Sequence, residues 1–175
     1  MRLFAAVWPT DEVRAVLEAL PRPPTTGVRW TTGAQWHVTL AFFGEQPPEA
    51  VPDLARVVAE AATALAPLRA VAGPATARLG PGVLCLPVDG LEAAAAAVRR
   101  GVAGLTVGPD PHPFSGHLTL ARAPRRNRVP ARLAGVPVAA SWTVDALALV
   151  SSVLDPGGAR YETLVSAPLS RQGPP

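Results

Sequence analysis

His37-Val38-Thr39-Leu40-Ala41-Phe42-Phe43-Gly44 reads as a β-strand closed by a glycine, and His117-Leu118-Thr119-Leu120-Ala121-Arg122 repeats its opening eighty residues later. Side chains alternate across a strand, so His and Thr two residues apart share a face while Val38 and Leu40, or Leu118 and Leu120, point into a core. Each segment thus offers one imidazole and one hydroxyl, side by side on rigid backbone. Chance alone would place Thr and Leu at these offsets after two of the three histidines roughly twice in 10,000 sequences of this composition. Continued strictly, the alternation sets Phe43 on the face of His37 and Thr39, as a candidate surface for stacking a flat ring of the substrate, and leaves Phe42 to the core. It also turns Arg122 away from His117 unless the strand ends or bends there.

The surrounding chain alternates strands and helices. Residues 2–8 read as a first strand. Thr10 can cap a helix whose first turn holds Asp11 and Glu12, whose apolar face is Val13, Val16, Leu17 and Leu20, and which stops at Pro21. Val28-Arg29-Trp30 and a turn at 31–34 lead into the first motif, read as a strand over 36–43. Two Ala-rich helices are expected over 49–66 and 91–102. Strand-like runs cover 68–72, 75–79, 83–88, 117–122, 142–150 and 161–165, with turns at Gly80-Pro81-Gly82 and Asp155-Pro156-Gly157-Gly158. A Pro-rich loop occupies 109–116. Hairpin-like turns between neighbouring strands favour a mostly antiparallel α+β fold. With 175 residues and 49% apolar content, one domain of two small lobes over 1–175 is expected.

Composition excludes many chemistries. All sixteen basic side chains are Arg, so a Walker-type phosphate loop, a Schiff base and a lysyl-adenylate intermediate are ruled out. One Cys permits neither an internal disulfide nor a cysteine-rich zinc site, and Cys85 reads as a small buried hydrophobe. No apolar run reaches the ~20 residues of a membrane span, and Asp11 and Glu12 interrupt anything like a signal peptide. The chain reads as soluble and cytoplasmic, with no membrane contact and no obligate protein partner, as a monomer. A net charge of +3 is a mild pointer to a phosphate-bearing partner.

Acid–base work near neutral pH falls to histidine. Two imidazoles and two hydroxyls suit an oxyanion substrate that needs one proton removed and another supplied, as in phosphodiester cleavage. Thr39 and Thr119, with Arg, would hold the non-bridging oxygens as charge builds. No metal and no cofactor are required; a zinc site of two His and a carboxylate is the competing reading, but neither segment has close-spaced metal-ligand pairs.

The doubled motif resembles that of the 2H phosphoesterase superfamily, and the chain is similar to bacterial RNA 2′,3′-cyclic phosphodiesterases, often labelled 2′-5′ RNA ligases. The likeness extends to Arg2-Leu3-Phe4, Val28-Arg29-Trp30, Phe114-Ser115-Gly116, Ser152-Val153-Leu154, Gly158, Tyr161 and Pro168-Leu169. It implies a two-lobed fold, with mostly antiparallel sheets facing a central cleft and helices outside. It implies opening of a 2′,3′-cyclic phosphate to a 2′-phosphate, with His37 as proton donor to the departing 3′ oxygen and His117 as proton acceptor. Thr39, Thr119 and Arg122 would bind the phosphate. The family often has Pro before the second His, where this chain has Gly116. RNA ends or small cyclic nucleotides would be the substrate. Ligation of cyclic-phosphate ends and non-catalytic binding of RNA ends are the alternatives.

Other residues carry blander expectations. His112 reads as a surface loop residue. Trp30, Trp36, Ser152 and Tyr161 read as serving the fold, and Arg122, Arg125, Arg126, Arg128 and Arg132 as a largely solvated basic run.

Overall fold

The computed structural model describes residues 1–103, 105, 112–124, 126–155 and 158–170. Arg125, much of the Pro-rich loop and the centre of the 155–158 turn lie outside the described residues. Ten strands and three α-helices are described: β1 (Arg2–Val7), α1 (Asp11–Glu18), β2 (Arg29–Trp30), β3 (Val38–Glu45), α2 (Val51–Thr63), β4 (Leu68–Ala72), β5 (Ala77–Leu79), β6 (Val83–Asp89), α3 (Glu92–Gly101), β7 (His117–Arg122), β8 (Ala140–Val144), β9 (Ala146–Asp155) and β10 (Gly158–Pro168). They form two antiparallel sheets, confirming the expected α+β class. The first runs β10-β9-β1-β3. The second runs β2-β7-β6-β4-β8, with β5 paired to β6.

The first sheet has two apolar faces, which follow from the alternation along β1. Leu3, Ala5 and Val7 join the main core with Leu54 and Val58 of α2 and Ala94 and Val98 of α3. Phe4 and Ala6 point the other way and form a small second cluster with Ala148 and Val150 of β9, bordered by Trp8 and Tyr161. That second cluster is the floor on which the first motif is built. Helices α2 and α3 pack on each other, α2 against β9 and β10 and α3 against β3, while α1 packs against β8. Thr10 occupies the N-cap position of α1 without a side-chain capping bond; its hydroxyl pairs instead with the Glu12 side chain.

One run expected as a single strand serves both sheets. Residues 142–150 break at Asp145: β8 pairs with β4 in the second sheet, and β9 pairs with β1 and β10 in the first. Trp142 and Val144 fill the core before the break, and Leu147 and Leu149 after it, so hydrophobic patterning shows no seam. The Asp145 carbonyl at the seam accepts from the Leu169 N–H at 2.7 Å.

Candidate active site

The two motif strands carry the same irregularity at the same place. In β3, Thr39 pairs with Ala6 and Ala41 with Ala5, so Leu40 is an extra residue. In β7, Thr119 pairs with Cys85 and Ala121 with Leu84, so Leu120 is extra. Each is a β-bulge, which shifts the alternation by one residue. Leu40 and Ala41 both face the core, as do Leu120 and Ala121. The following residue, Phe42 in one strand and Arg122 in the other, therefore turns to the cleft.

This corrects the expected placement of Phe43. Phe42 pairs with Phe4 on the cleft side, lines the cleft and is 41% exposed, whereas Phe43 is a second extra residue in β3, packed in the core and only 4% exposed. The Arg2 guanidinium lies 5.6 Å from the centre of the Phe42 ring. Phe43→Ala is expected to cost about 3–5 kcal/mol of stability. Phe42→Ala should change stability by only about 0.5 kcal/mol while raising KM for a nucleotide several-fold through lost stacking. Thermal melts and steady-state kinetics of the pair check both.

The same bulge brings Arg122 into the cleft, against strict alternation. Its Nη2 donates to Thr119 Oγ1 at 3.4 Å, so guanidinium and hydroxyl stand together beside the second motif. Thr31, 6% exposed, pins the bulge. Its N–H donates to the Leu120 carbonyl at 2.9 Å, and its hydroxyl faces the Thr119 and Leu120 carbonyls at 2.7 and 2.9 Å. The Trp36 Nε1–H donates to the same hydroxyl at 3.0 Å. The residue preceding His37 is thereby tied to the backbone of the other motif.

Both histidines are held alike. His37 Nδ1 lies 2.9 Å from the Gln35 carbonyl, and His117 Nδ1 lies 2.8 Å from the Ser115 carbonyl. A carbonyl only accepts, so each Nδ1 carries hydrogen and each Nε2 is left to take up or release a proton. Gln35 is fixed in turn, its amide donating to the Ala159 carbonyl at 2.8 Å. Gly116, before the second His, packs where a Cβ would strike the Val88 carbonyl; that contact, with the Val88 N–H donating to the Gly116 carbonyl at 2.9 Å, accounts for glycine there.

Their surroundings differ. His37 is enclosed by Phe4, Trp8 and Tyr161, with ring centres at 4.9, 5.6 and 4.7 Å. Burial among these rings pushes the imidazole down to about 4; the Gln35 carbonyl opposes this, and the positive charges of Arg122 and His117 add to it. Tyr161, expected to serve only the fold, is thus part of the site, and burial pushes its phenol up while Arg122 and Arg29 pull it back.

His37 and Thr39 line a cleft of about 660 Å³ with Arg2, Arg29, Phe42, Arg122, Ser152 and Tyr161, and among the described residues no carboxylate lines it. His117 lines a neighbouring cavity of about 450 Å³ with Arg99, His112 and Phe114. Thr39 borders both cavities. Thr119 is buried beneath Arg122. Arg126, Arg128 and Arg132 do not line the cleft, and Arg132 borders a small apolar pocket with Trp30 instead. Among the described residues no three His, Cys, Asp or Glu side chains gather in a metal-holding group, and no helix is long and apolar enough to cross a membrane.

Residues 9–156 match the model of the 2′-5′ RNA ligase superfamily. A Thermus thermophilus relative named RNA 2′,3′-cyclic phosphodiesterase is 37% identical over 187 aligned positions, covering 94% of this chain and 88% of the relative. Among solved structures, TT0787 of Thermus thermophilus superposes with a TM-score of 0.83 at 34% identity, covering 98% of both chains. LigT of E. coli in complex with 3′-AMP superposes with a TM-score of 0.77 at 27% identity, covering 96% of this chain and 97% of that one. With the family model spanning most of its length and a relative 37% identical over 94% of it, the chain belongs to the 2′-5′ RNA ligase superfamily.

Proposed function

We propose that this protein hydrolyses 2′,3′-cyclic phosphate ends of RNA to 2′-phosphates, with His37 as general acid and His117 as general base. The observation that carries this reading is the matched pair of imidazoles, each with Nδ1 tied to a carbonyl two residues back and Nε2 free to exchange a proton. The Thermus relative's name and the 3′-AMP bound by LigT supply the substrate class.

That His37 and His117 line different cavities supports opposite sides for the acid and the base. In an in-line displacement the nucleophile and the leaving oxygen lie on opposite sides of phosphorus. Water enters beside His117, which takes its proton, and attacks the phosphorus. The bond from phosphorus to the 3′ oxygen breaks, and His37 protonates that oxygen from the cleft side. Thr39, Thr119 and Arg122 hold the non-bridging oxygens. The two imidazoles supply every proton transfer, so the reaction calls for no metal and no cofactor. Residues 1–175 work as one two-lobed domain in this reading, since each sheet supplies one motif. We assign the activity to a cytoplasmic monomer.

The low proton affinity of His37 makes substrate part of the machinery. In the free protein its imidazole is neutral at pH 7. A phosphodiester anion beside it favours the charged form and raises its pKa. Activity requires one proton on the pair, so the rate rises with pH through the loss of the first proton and falls through the loss of the second. The acid limb of kcat/KM, which reports the free protein, is expected near pH 4, and the acid limb of kcat at a higher pH. Steady-state kinetics on a nucleoside 2′,3′-cyclic phosphate check this. A kcat/KM that does not change between pH 4 and 9 contradicts the two-imidazole mechanism.

A further inference from the structure

β2 covers the outer edge of β7 with two paired residues: Arg29 stands opposite Arg122, and Trp30 opposite Ala121. Thr31, the next residue, meets the bulge of β7. In a regular strand successive carbonyls point to opposite edges. Here the Thr119 and Leu120 carbonyls both reach the Thr31 hydroxyl, at 2.7 and 2.9 Å. Two neighbouring carbonyls meeting one atom is the geometry of the bulge. A hydroxyl has one hydrogen to donate and lone pairs with which to accept. The Trp36 Nε1–H takes the accepting side at 3.0 Å, which leaves the hydrogen directed at the carbonyls. The Leu120 carbonyl also accepts from the Thr31 N–H at 2.9 Å, so the shorter contact, to the Thr119 carbonyl, is the one the hydroxyl hydrogen makes. Thr31 and Trp36 are both buried, which keeps water from competing for these bonds. The bulge is also what turns Arg122 to the cleft. On a strand without it, alternation carries Arg122 to the face opposite His117.

We infer that Thr31 is a positioning residue for the reaction: its hydroxyl, oriented by Trp36, holds β7 in its bulged register and so keeps the Arg122 guanidinium on the cleft side. Arg122 Nη2 donates to the hydroxyl of Thr119, the residue whose carbonyl Thr31 holds. Thr31 lies outside both motifs and acts through Arg122 rather than on the reacting atoms. A misplacement of about 1 Å in a donor aimed at developing charge is enough to remove much of its effect. The inference rests on the cyclic-phosphate reading for its substrate and for the work of Arg122.

The test measures steady-state turnover of adenosine 2′,3′-cyclic phosphate by the wild type, Thr31→Val and Thr31→Ser, with melting temperatures alongside. Thr31→Val keeps the branched shape and removes the hydroxyl. It is expected to lower kcat by about 10-fold or more while KM stays within about 2-fold of the wild type, because Arg122 works on charge that develops in the transition state. Thr31→Ser keeps the hydroxyl and should turn over faster than Thr31→Val. Added to Arg122→Met, Thr31→Val should lower kcat further by less than about 2-fold, since the side chain it positions is gone. A smaller fall in kcat for Thr31→Val alone, a loss carried by KM, a serine variant no faster than the valine one, or a larger further loss beside Arg122→Met overturns the inference. If Thr31→Val does not fold, Thr31→Ala removes the same hydroxyl and is read in the same way. A wild type that turns over nothing overturns the cyclic-phosphate reading instead. A crystal structure of the Thr31 variant then decides the positioning by itself: Arg122 turned out of the cleft supports it, and Arg122 in place beside Thr119 overturns it.

Discussion

Alanine in place of His37 or His117 is expected to lower kcat on a 2′,3′-cyclic phosphate by at least ~100-fold, the usual worth of a positioned general acid or base. Each variant removes one Nε2 from a pair that acts as a unit. The double variant should therefore lose little more than the worse single one, rather than the product of the two losses. Folding is a separate matter at the two positions. The His37 ring packs against Phe4, Trp8 and Tyr161, so alanine there opens a gap, and His37→Gln serves as the fuller replacement. At His117, alanine removes the bond between Nδ1 and the Ser115 carbonyl. Melting temperatures measured beside the kinetics separate lost chemistry from lost structure. Both single variants turning over at the wild-type rate would remove the histidines from the mechanism.

Arg122→Met should cost on the order of 100-fold in kcat/KM, as expected for a donor aimed at charge that develops in the transition state. It has a second, diagnostic effect. The Arg122 charge helps to hold the His37 proton affinity down. Its removal should move the acid limb of the kcat/KM profile to higher pH, whereas loss of a merely structural side chain would leave the limb in place. Arg122→Lys keeps the charge without the fork that meets two oxygens at once, and is expected to keep the limb near the wild-type position while recovering only part of the rate.

Much of the site was legible because the motif residues are local. His37 and Thr39, or His117 and Thr119, are placed by two-residue alternation, and the matching offsets were enough to pair them across the chain. The chemistry around them is not local. Phe4 and Trp8 share one face of the first strand by alternation, but Tyr161 comes from β10, and nothing in the sequence joins these rings to His37. Alternation itself misplaced Phe42, Phe43 and Arg122. A bulge is one extra residue, and in Leu40-Ala41 and Leu120-Ala121 that extra residue is as apolar as its neighbours, so no polar break marks it. The break at Asp145 is hidden in the same way between two apolar runs that enter different sheets. One signal was available: the residue five positions after each motif His, Phe42 and Arg122, is the one the bulge exposes, and only the likeness between the motifs could have shown that both strands bend at the same step.

The most direct test of the central claim is the fate of one phosphate. The purified protein, with a chelator present, is incubated with an oligonucleotide ending in a 2′,3′-cyclic phosphate, and the position of the phosphate in the product is identified. His37 on the side of the 3′ oxygen predicts turnover that yields a 2′-phosphate. A 3′-phosphate product, or no turnover at all, would contradict the account.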